Sequence, residues 1–291
     1  MNTESLTIQS PSGDEMTLNE RIAKQIKDFR WQHPPLPLSG AKARRWWREI
    51  YAISEILPSS WKILDAFGGT LCVTWLMKHH RNDLHIVTND MKNVYAKRID
   101  AIDQTIEIWN LLHDAFTYDR RAETSYVKFT EEQWTLFNEQ LALAEDKITV
   151  MSWANGGGSP RNKLPNHPPN KALAKEWMNG MEMMDIELND KDEESLSLIE
   201  RFDFFILDPP YMYSNSRNHY ACEDYTKARR WTSCVINSGK PFMLWDKAGS
   251  SLCKEAENAG GRPIKETAMG YTGEDSKGKE TLILKLPEGT A

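Results

Sequence analysis

The segment Phe204–Tyr211 reads Phe-Phe-Ile-Leu-Asp-Pro-Pro-Tyr, and it is the strongest indication of the fold in the sequence. Consecutive apolar residues that end abruptly are typical of a short strand buried on both faces, as at the centre of a parallel sheet. The strand ends at Asp208, so it places a carboxylate at the carboxyl edge of the sheet, where ligands bind in open α/β folds. Pro209 and Pro210 then fix the backbone and remove two N–H donors. The aromatic ring of Tyr211 follows directly.

A second segment, Ile63–Thr70, reads Ile-Leu-Asp-Ala-Phe-Gly-Gly-Thr and follows a similar plan. A short strand is predicted over 62–67, and the glycines after it allow a ligand to approach the backbone closely. The next predicted strand, over 84–88, ends at Asn89 and Asp90, where a carboxylate commonly binds ribose hydroxyls. A helix cap is the alternative role for Asp90. The order of strand, glycine turn, helix and strand predicts the βαβ unit of a doubly wound sheet.

Apolar spacing and turn residues predict the remaining elements. Helices are predicted over 17–30, 39–57, 72–79, most of 92–146, 171–184, 224–238 and 250–259. Strands are predicted over 148–153, 202–207, 241–245, 263–269 and 281–286, the last two as a hairpin. Residues 1–15 are predicted as a loose polar tail and residues 155–170 as a loop.

Composition bounds the class of protein. The chain has 291 residues, enough for one large α/β domain with an inserted lobe or for two small domains. Its four cysteines are scattered, which predicts neither a zinc site nor a disulfide framework and favours the cytoplasm. No apolar run approaches the roughly 20 residues of a membrane span, and no secretory signal is visible. The net charge of -6 argues weakly against a nucleic-acid partner, although basic clusters leave room for a basic face.

The residues at the end of the predicted central strand suit an exocyclic amine as substrate. The lone pair of such an amine is delocalised into the base, which makes the nitrogen a poor nucleophile. Hydrogen bonds from its N–H groups to the Asp208 carboxylate and the Pro209 carbonyl would return electron density to nitrogen, and a fixed carboxylate stabilises the charge that develops during methyl transfer. Tyr211 could stack on an extruded base. The alternative is that Asp-Pro-Pro simply ends the strand.

A third segment, Leu38–Lys42, lies at a predicted helix start. Ser39 is a candidate N-cap, and Lys42 could reach the carboxylate of an amino-acid ligand. The alternative is that Lys42 belongs to an ordinary basic helix face. The eleven tryptophans, including Trp46 and Trp47, are predicted to fill the core.

Taken together, these segments resemble the Dam-type family of DNA adenine-N6 methyltransferases. Asp208–Tyr211 matches the family's Asp-Pro-Pro-Tyr without change, and Asp65–Val73 is similar to its Glu-Pro-Phe-x-Gly-x-Gly-Ser-Val loop. Pro37–Lys42 looks like its Trp-Ala-Gly-Gly-Lys segment, and Gly270–Leu286 looks like its closing hairpin. Asn89-Asp90 matches the residues after its second strand.

The resemblance implies an α/β fold: a Rossmann-like methyltransferase doubly wound sheet with a C-terminal antiparallel hairpin and an inserted, mostly helical target-recognition lobe. It implies S-adenosylmethionine as cofactor, S-adenosylhomocysteine as product, and no metal. The implied catalytic residues are Asp208, Pro209, Pro210 and Tyr211. The implied cofactor-binding residues are Leu38, Ser39, Gly40, Lys42, Asp65, Phe67, Gly68, Gly69, Thr70, Asp90 and Asp208.

The resemblance also implies a division of the chain. Residues 1–33 would form a tail and a short helix, residues 34–103 and 181–291 the catalytic domain, and residues 104–180 the target-recognition lobe. The candidate contacts to double-stranded DNA are Arg120, Arg121, Asn155, Arg161 and Lys163. Two positions depart from the family pattern: Leu38 replaces an aromatic residue, and Leu71 replaces a glycine, as in some phage-encoded relatives.

The leading hypothesis is a cytoplasmic enzyme, in the host cytoplasm if phage-encoded, that flips an adenine out of double-stranded DNA and methylates its N6 amine. Two alternatives stay open. One is a methyltransferase acting on RNA, a protein amide or a small molecule. The net charge of -6 favours it, as does the faint match of Asn155-Gly156 and Arg161-Asn162-Lys163 to the target-recognition signature of the family. The other is an inactive DNA-binding relative, which the departures at Leu38 and Leu71 favour.

Overall fold

The structure is a computed structural model, and it describes residues 7–9, 15–17, 42–91, 94–114, 126–128, 131–144, 163–165, 170–210, 225–268 and 278–287. The strands are β1 (Thr7–Gln9), β2 (Glu15–Thr17), β3 (Lys62–Asp65), β4 (His85–Asn89), β5 (Tyr126–Lys128), β6 (Lys163–Pro165), β7 (Glu182–Met184), β8 (Phe204–Leu207), β9 (Phe242–Lys247), β10 (Arg262–Ala268) and β11 (Lys279–Lys285). The helices are α1 (Ala43–Ile56), α2 (Cys72–His80), α3 (Val94–Asp100), α4 (Ile102–Asp114), α5 (Glu131–Leu143), α6 (Lys171–Asn179), α7 (Glu193–Arg201), α8 (Tyr225–Asn237) and α9 (Ser251–Asn258).

Seven of the strands form one sheet, in the order β7-β4-β3-β8-β9-β11-β10. Five neighbouring strands, β7, β4, β3, β8 and β9, are parallel to one another. In contrast, β11 runs antiparallel to both of its neighbours, β9 and β10. The last strand of the chain therefore lies between two earlier ones. This arrangement confirms the predicted fold class, a Rossmann-like doubly wound sheet with a C-terminal antiparallel hairpin.

The central strand β8 is buried on both faces, as its sequence predicts. Its side chains alternate between two cores, because successive residues of a strand point to opposite faces. Phe204 and Ile206 pack with residues of α1 and α2, while Phe205 and Leu207 pack with residues of α7, α8 and α9. The helices therefore cover both faces of the sheet, as a doubly wound fold requires.

The segment between β4 and β7 is mostly helical in its described part, with α3, α4, α5 and α6 and the small β5–β6 pair. The prediction of a helix over 171–184 is wrong at its end. The helix stops at Asn179, and Glu182–Met184 pairs in parallel with β4 as the edge strand of the sheet. Gly180 favours the stop, and the unpaired backbone of β4 supplies partners that helix propensity does not reveal.

Two further predictions differ from the structure at short strands. The loose tail predicted over 1–15 contains β1, which pairs antiparallel with β2, and the predicted loop over 155–170 contains β6. Pro11 and Gly13 lie between β1 and β2 in sequence and are typical turn residues. Most of the helix predicted over 17–30, and the strand predicted over 148–153, lie outside the described residues.

The turn after β3 lies directly against the end of β4. The Gly68 N–H donates to the Asn89 carbonyl at 3.0 Å. The Asn89 side-chain amide donates to the carbonyls of Ala66 at 3.3 Å and Ile186 at 2.9 Å. A Cβ at Gly68 would lie 2.5 Å from Thr88 Cγ2, so the close approach of the turn to β4 requires glycine at this position.

We expect Gly68→Ala to lower the free energy of unfolding by about 1–3 kcal/mol, because the added methyl group overpacks the contact with Thr88. Urea denaturation followed by circular dichroism measures this loss. The matched control is Gly180→Ala, where an added Cβ meets no atom of the described part of the chain within 4 Å, and its stability should be unchanged or slightly raised. Equal stabilities of the two variants would contradict the proposed contact.

Candidate active site

Three predicted carboxylates come from neighbouring parallel strands. Asp65 ends β3, Asp90 follows β4 and Asp208 follows β8, so all three lie toward the carboxyl edge of the sheet. The N–H of Ala66 donates to the Ile206 carbonyl at 3.0 Å, which keeps the exits of β3 and β8 side by side. The negative charges of Asp208 and Asp90 both act on the Asp65 carboxyl. The fold therefore brings together residues that lie far apart in the sequence.

The ammonium group of Lys42 joins two carboxylates at this edge. Its Nζ lies 2.8 Å from Asp208 Oδ2 and 3.1 Å from Glu280 Oε1. The Lys42 side chain is only 3% exposed, whereas that of Asp208 is 25% exposed. Trp46 Nε1 donates to the second oxygen of Glu280 at 2.6 Å. Because Lys42 is buried and doubly paired, its interpretation as part of a solvated basic helix face is wrong.

Two tryptophans form the apolar side of this ion cluster. Trp46 and Trp245 are buried and meet edge to face, with ring centroids 6.3 Å apart. The Lys42 ammonium lies 6.0 Å from the centre of the Trp245 ring, near the outer limit of a cation–π contact. The prediction that the tryptophans fill the core is confirmed for Trp46, and the apolar surroundings strengthen the electrostatic interactions of Lys42.

Asp65 lies in the protein interior. Its Oδ2 accepts a hydrogen bond from Thr74 Oγ1 at 2.7 Å, and that hydroxyl also lies 2.9 Å from Thr88 Oγ1. The pKa of Asp65 is raised to about 7, mainly by burial and also by the nearby charges of Asp208 and Asp90, which together outweigh the lowering effect of the hydrogen bonds. The observed contacts of Asp65 link β3, α2 and β4, and its cofactor-binding role stays a prediction.

The turn after β3 combines a buried and an exposed part. Gly69, in the left-handed region at φ 53°, is exposed, and among the described residues a Cβ there would meet only the Phe67 carbonyl, at 3.6 Å. Leu71 is also left-handed, at φ 58°, at the start of α2. Thr70 is buried, and Phe67 packs edge-on against Trp231. The exposed glycine leaves the outer side of the turn open to a ligand.

Leu71 occupies the position at which the resembled family has glycine. A left-handed conformation costs a leucine roughly 1–2 kcal/mol. Its side chain is fully buried with Tyr95, Ile99 and Ala174, which offsets a cost of this size. The backbone at Leu71 therefore adopts a conformation typical of glycine although the residue is a leucine.

Asp90 caps the helix that follows it. Its Oδ2 accepts a hydrogen bond from the N–H of Tyr95, in the first turn of α3, at 2.7 Å. Its own N–H donates to the Met184 carbonyl of the edge strand β7 at 2.9 Å. The helix-cap role considered for Asp90 is therefore confirmed, and the ribose contact stays a prediction.

A buried ion pair supports the Asp-Pro-Pro segment from behind. Arg229 Nη2 of α8 lies 2.7 Å from Asp246 Oδ2 of β9, and Arg229 Nη1 donates to the Pro210 carbonyl at 3.3 Å. Ser250 Oγ also donates to Asp246 Oδ2 at 2.7 Å. Pro209 and Pro210 are buried. The sequence does not reveal this role of Arg229, since nothing local to α8 indicates its partners.

Several predicted site residues lie outside the described residues. They are Leu38, Ser39, Gly40, Arg120, Arg121, Asn155, Arg161 and Tyr211. Lys163 begins β6, and its role in DNA binding stays a prediction. Within the described residues, no helix combines the length and apolar character that a bilayer crossing requires, and no three His, Cys, Asp or Glu side chains are grouped as metal ligands.

Comparisons with known proteins do not identify a family for this chain. No model of a protein family matches the chain, and no curated protein matches it. Among solved structures, the chain is similar to the rRNA methyltransferase AviRa from Streptomyces viridochromogenes, with 10% sequence identity and a TM-score of 0.36. The alignment covers 90% of this chain and 94% of that one. A similarity this distant carries no functional inference, and none of these comparisons supports the predicted Dam-type family.

The buried carboxyl of Asp65 predicts a pH dependence of stability. Its folded-state pKa of about 7 lies above the ordinary value of 3.8, so between these values the folded protein keeps a proton that the unfolded chain releases. The contribution of Asp65 to the free energy of unfolding is therefore greatest below pH 3.8 and is lost as the pH rises from 3.8 to about 7. The loss is about 4 kcal/mol, since the pKa differs by about three units.

Asp65→Asn keeps a neutral side chain at every pH, so its stability relative to the wild type should rise between pH 5 and pH 8. Urea denaturation at both pH values measures the difference. The control is Asp100→Asn, an exposed aspartate on α3, which should leave the pH dependence as it is in the wild type. A constant difference between wild type and Asp65→Asn at the two pH values would rule out the raised pKa.

Proposed function

We propose that this protein is an S-adenosylmethionine-dependent methyltransferase that acts on the N6 amine of adenine in double-stranded DNA. The observation that carries the proposal is the position of Asp208. It is a partly exposed carboxylate at the carboxyl end of the central strand, fixed by Lys42 at 2.8 Å and followed by two buried prolines. Ligand sites of doubly wound sheets lie at this edge.

The chemistry of Asp208 suits an amine substrate. An ionised carboxylate is an acceptor only, so it orients an N–H donor and stabilises positive charge that develops on the nitrogen. The Pro209 carbonyl can accept a second N–H, since the nitrogen of Pro210, which follows it, carries no competing donor. The contact from Arg229 to the Pro210 carbonyl helps to hold this backbone in one orientation. Preorganised acceptors of this kind avoid reorganisation during the reaction.

The described residues also fit the cofactor. S-adenosylmethionine, when bound, supplies an electrophilic methyl group on a cationic sulfur. Asp208 and Asp90 bring negative charge to the edge, and the exposed Gly69 leaves the turn after β3 open on its outer side.

DNA as the substrate rests on the resemblance of Asp208–Tyr211 and the neighbouring segments to the Dam-type family. In this proposal residues 104–180 form the target-recognition lobe, and the basic residues predicted there bind phosphates and bases. Tyr211 stacks on the flipped adenine. The net charge of -6 argues against any nucleic acid and favours an amine of a protein or small molecule as the second candidate substrate class.

We expect Asp208→Asn to lower methyl transfer by about 10²- to 10³-fold, because an amide cannot replace the negative charge that stabilises the developing cation. Transfer of tritiated methyl groups from S-adenosylmethionine to unmethylated duplex DNA measures the loss. The matched control is Asp203→Asn, an exposed aspartate just before the same strand, which should keep wild-type activity. An Asp208→Asn variant with wild-type activity would reject the assigned role.

The nature of the labelled product tests the substrate class. Enzymatic digestion of the DNA from wild-type reactions should release labelled N6-methyl-2′-deoxyadenosine. Label found only in RNA, protein or a small amine would replace the DNA part of the proposal. Calorimetry with S-adenosylhomocysteine tests the cofactor, and the absence of binding heat together with absent transfer would favour the inactive DNA-binding alternative.

A further inference from the structure

Glu280 is a second carboxylate that forms an ion pair with Lys42, the partner of Asp208. It lies near the start of β11, and its side chain is only 9% exposed. Both of its oxygens are engaged, one by the Lys42 ammonium at 3.1 Å and the other by Trp46 Nε1 at 2.6 Å. A carboxylate buried to this degree and held at both oxygens has one orientation, so its position relative to Lys42 is fixed.

The charges of this cluster do not cancel. Lys42 carries one positive charge, whereas Glu280 and Asp208 together carry two negative charges when ionised, which leaves the group with a net charge of -1. A lysine paired with Asp208 alone would neutralise that carboxylate. With Glu280 on its other side, the ammonium divides its attraction between two partners in an apolar setting where such interactions are strong.

We infer that Glu280 is a positioning residue that holds Lys42 beside Asp208 and takes up part of its positive charge, so that Asp208 keeps the negative charge that faces the substrate amine. This inference rests on the proposed methyl transfer and adds the residue that tunes its carboxylate. Nothing local to the sequence around Glu280 indicates the role, because Lys42 lies 238 positions away.

The described charged groups around Asp208 come from several elements. Lys42 lies just before α1, Asp65 ends β3, and Glu280 lies on β11. Arg229 of α8 and Asp246 of β9 form an ion pair of their own, and the Arg229 guanidinium also donates to the Pro210 carbonyl. Among these groups Glu280 is the carboxylate that shares a cation with Asp208, so removal of its charge should act on Asp208 through Lys42.

Glu280→Gln tests the charge with little change of shape. Loss of the charge leaves Lys42 to pair more fully with Asp208, which makes that carboxylate harder to protonate and a weaker acceptor. We expect the acidic limb of the pH–kcat profile to move to lower pH by about one unit. We also expect kcat at neutral pH to fall by about tenfold to a hundredfold, with KM for the methyl acceptor unchanged.

Glu280→Asp separates charge from structure. This variant keeps the negative charge but is one methylene shorter, so it cannot reach Lys42 and Trp46 in the same way. Its acidic limb should stay near that of the wild type even where kcat is lower. The matched control is Glu266→Gln on the neighbouring strand β10, where an exposed glutamate pairs with Lys279, and it should behave as the wild type in both measurements.

A measurement without turnover decides the inference independently of the proposed function. The carboxyl group of Asp208 can be titrated by NMR in protein labelled with ¹³C-carboxyl aspartate, with its signal assigned from Asp208→Asn. A titration midpoint that falls in Glu280→Gln and not in Glu280→Asp or Glu266→Gln supports the inference. Equal midpoints in the wild type and Glu280→Gln overturn it. A wild type that transfers no methyl group overturns the proposed function, and the NMR result still stands.

Discussion

The buried ammonium of Lys42 is the constraint on which the rest of the site depends. An unpaired charge in the interior costs several kcal/mol, and loss of one partner of a buried pair typically costs about 3–5 kcal/mol. The segment before α1, the exit of β8 and the start of β11 must therefore meet at one place. The position of β11 between β9 and β10 brings Glu280 within reach of this meeting point. Charge pairing and strand order thus specify the same arrangement.

Much of the fold follows from local sequence because the burial of a strand is written into its own residues. The apolar run Phe204–Leu207 identifies a central strand, and the Gly68-Gly69 pair identifies the turn that follows β3. The edge strand Glu182–Met184 shows no buried apolar run, because it pairs only with β4 and consists of one glutamate and two methionines. It forms because β4 offers unpaired backbone groups, and that offer exists only in the assembled sheet.

The site was predictable where chemistry coincides with the end of a strand, and unpredictable where it depends on a distant partner. Asp208 and Asp90 follow strands, so their positions at one edge follow from topology. Glu280 and Arg229 are charged residues on elements that the sequence predicts as ordinary hairpin and helix surface. They are buried because Lys42 and Asp246 compensate their charges, and these partners lie 238 and 17 positions away. Sequence periodicity carries no information about such pairs.

The carboxylates at this edge differ in role because their environments differ, as in other sites where two acids divide their work. Asp65 is buried without a cation among its described partners, which raises its pKa to about 7 and favours its neutral form below that pH. Asp208 is partly exposed and has Lys42 beside it, which favours its ionised form. A neutral Asp65 also removes one repulsive charge from beside Asp208. Burial of Asp65 and pairing of Asp208 therefore both make Asp208, rather than Asp65, the charged acceptor at the exit of these two strands.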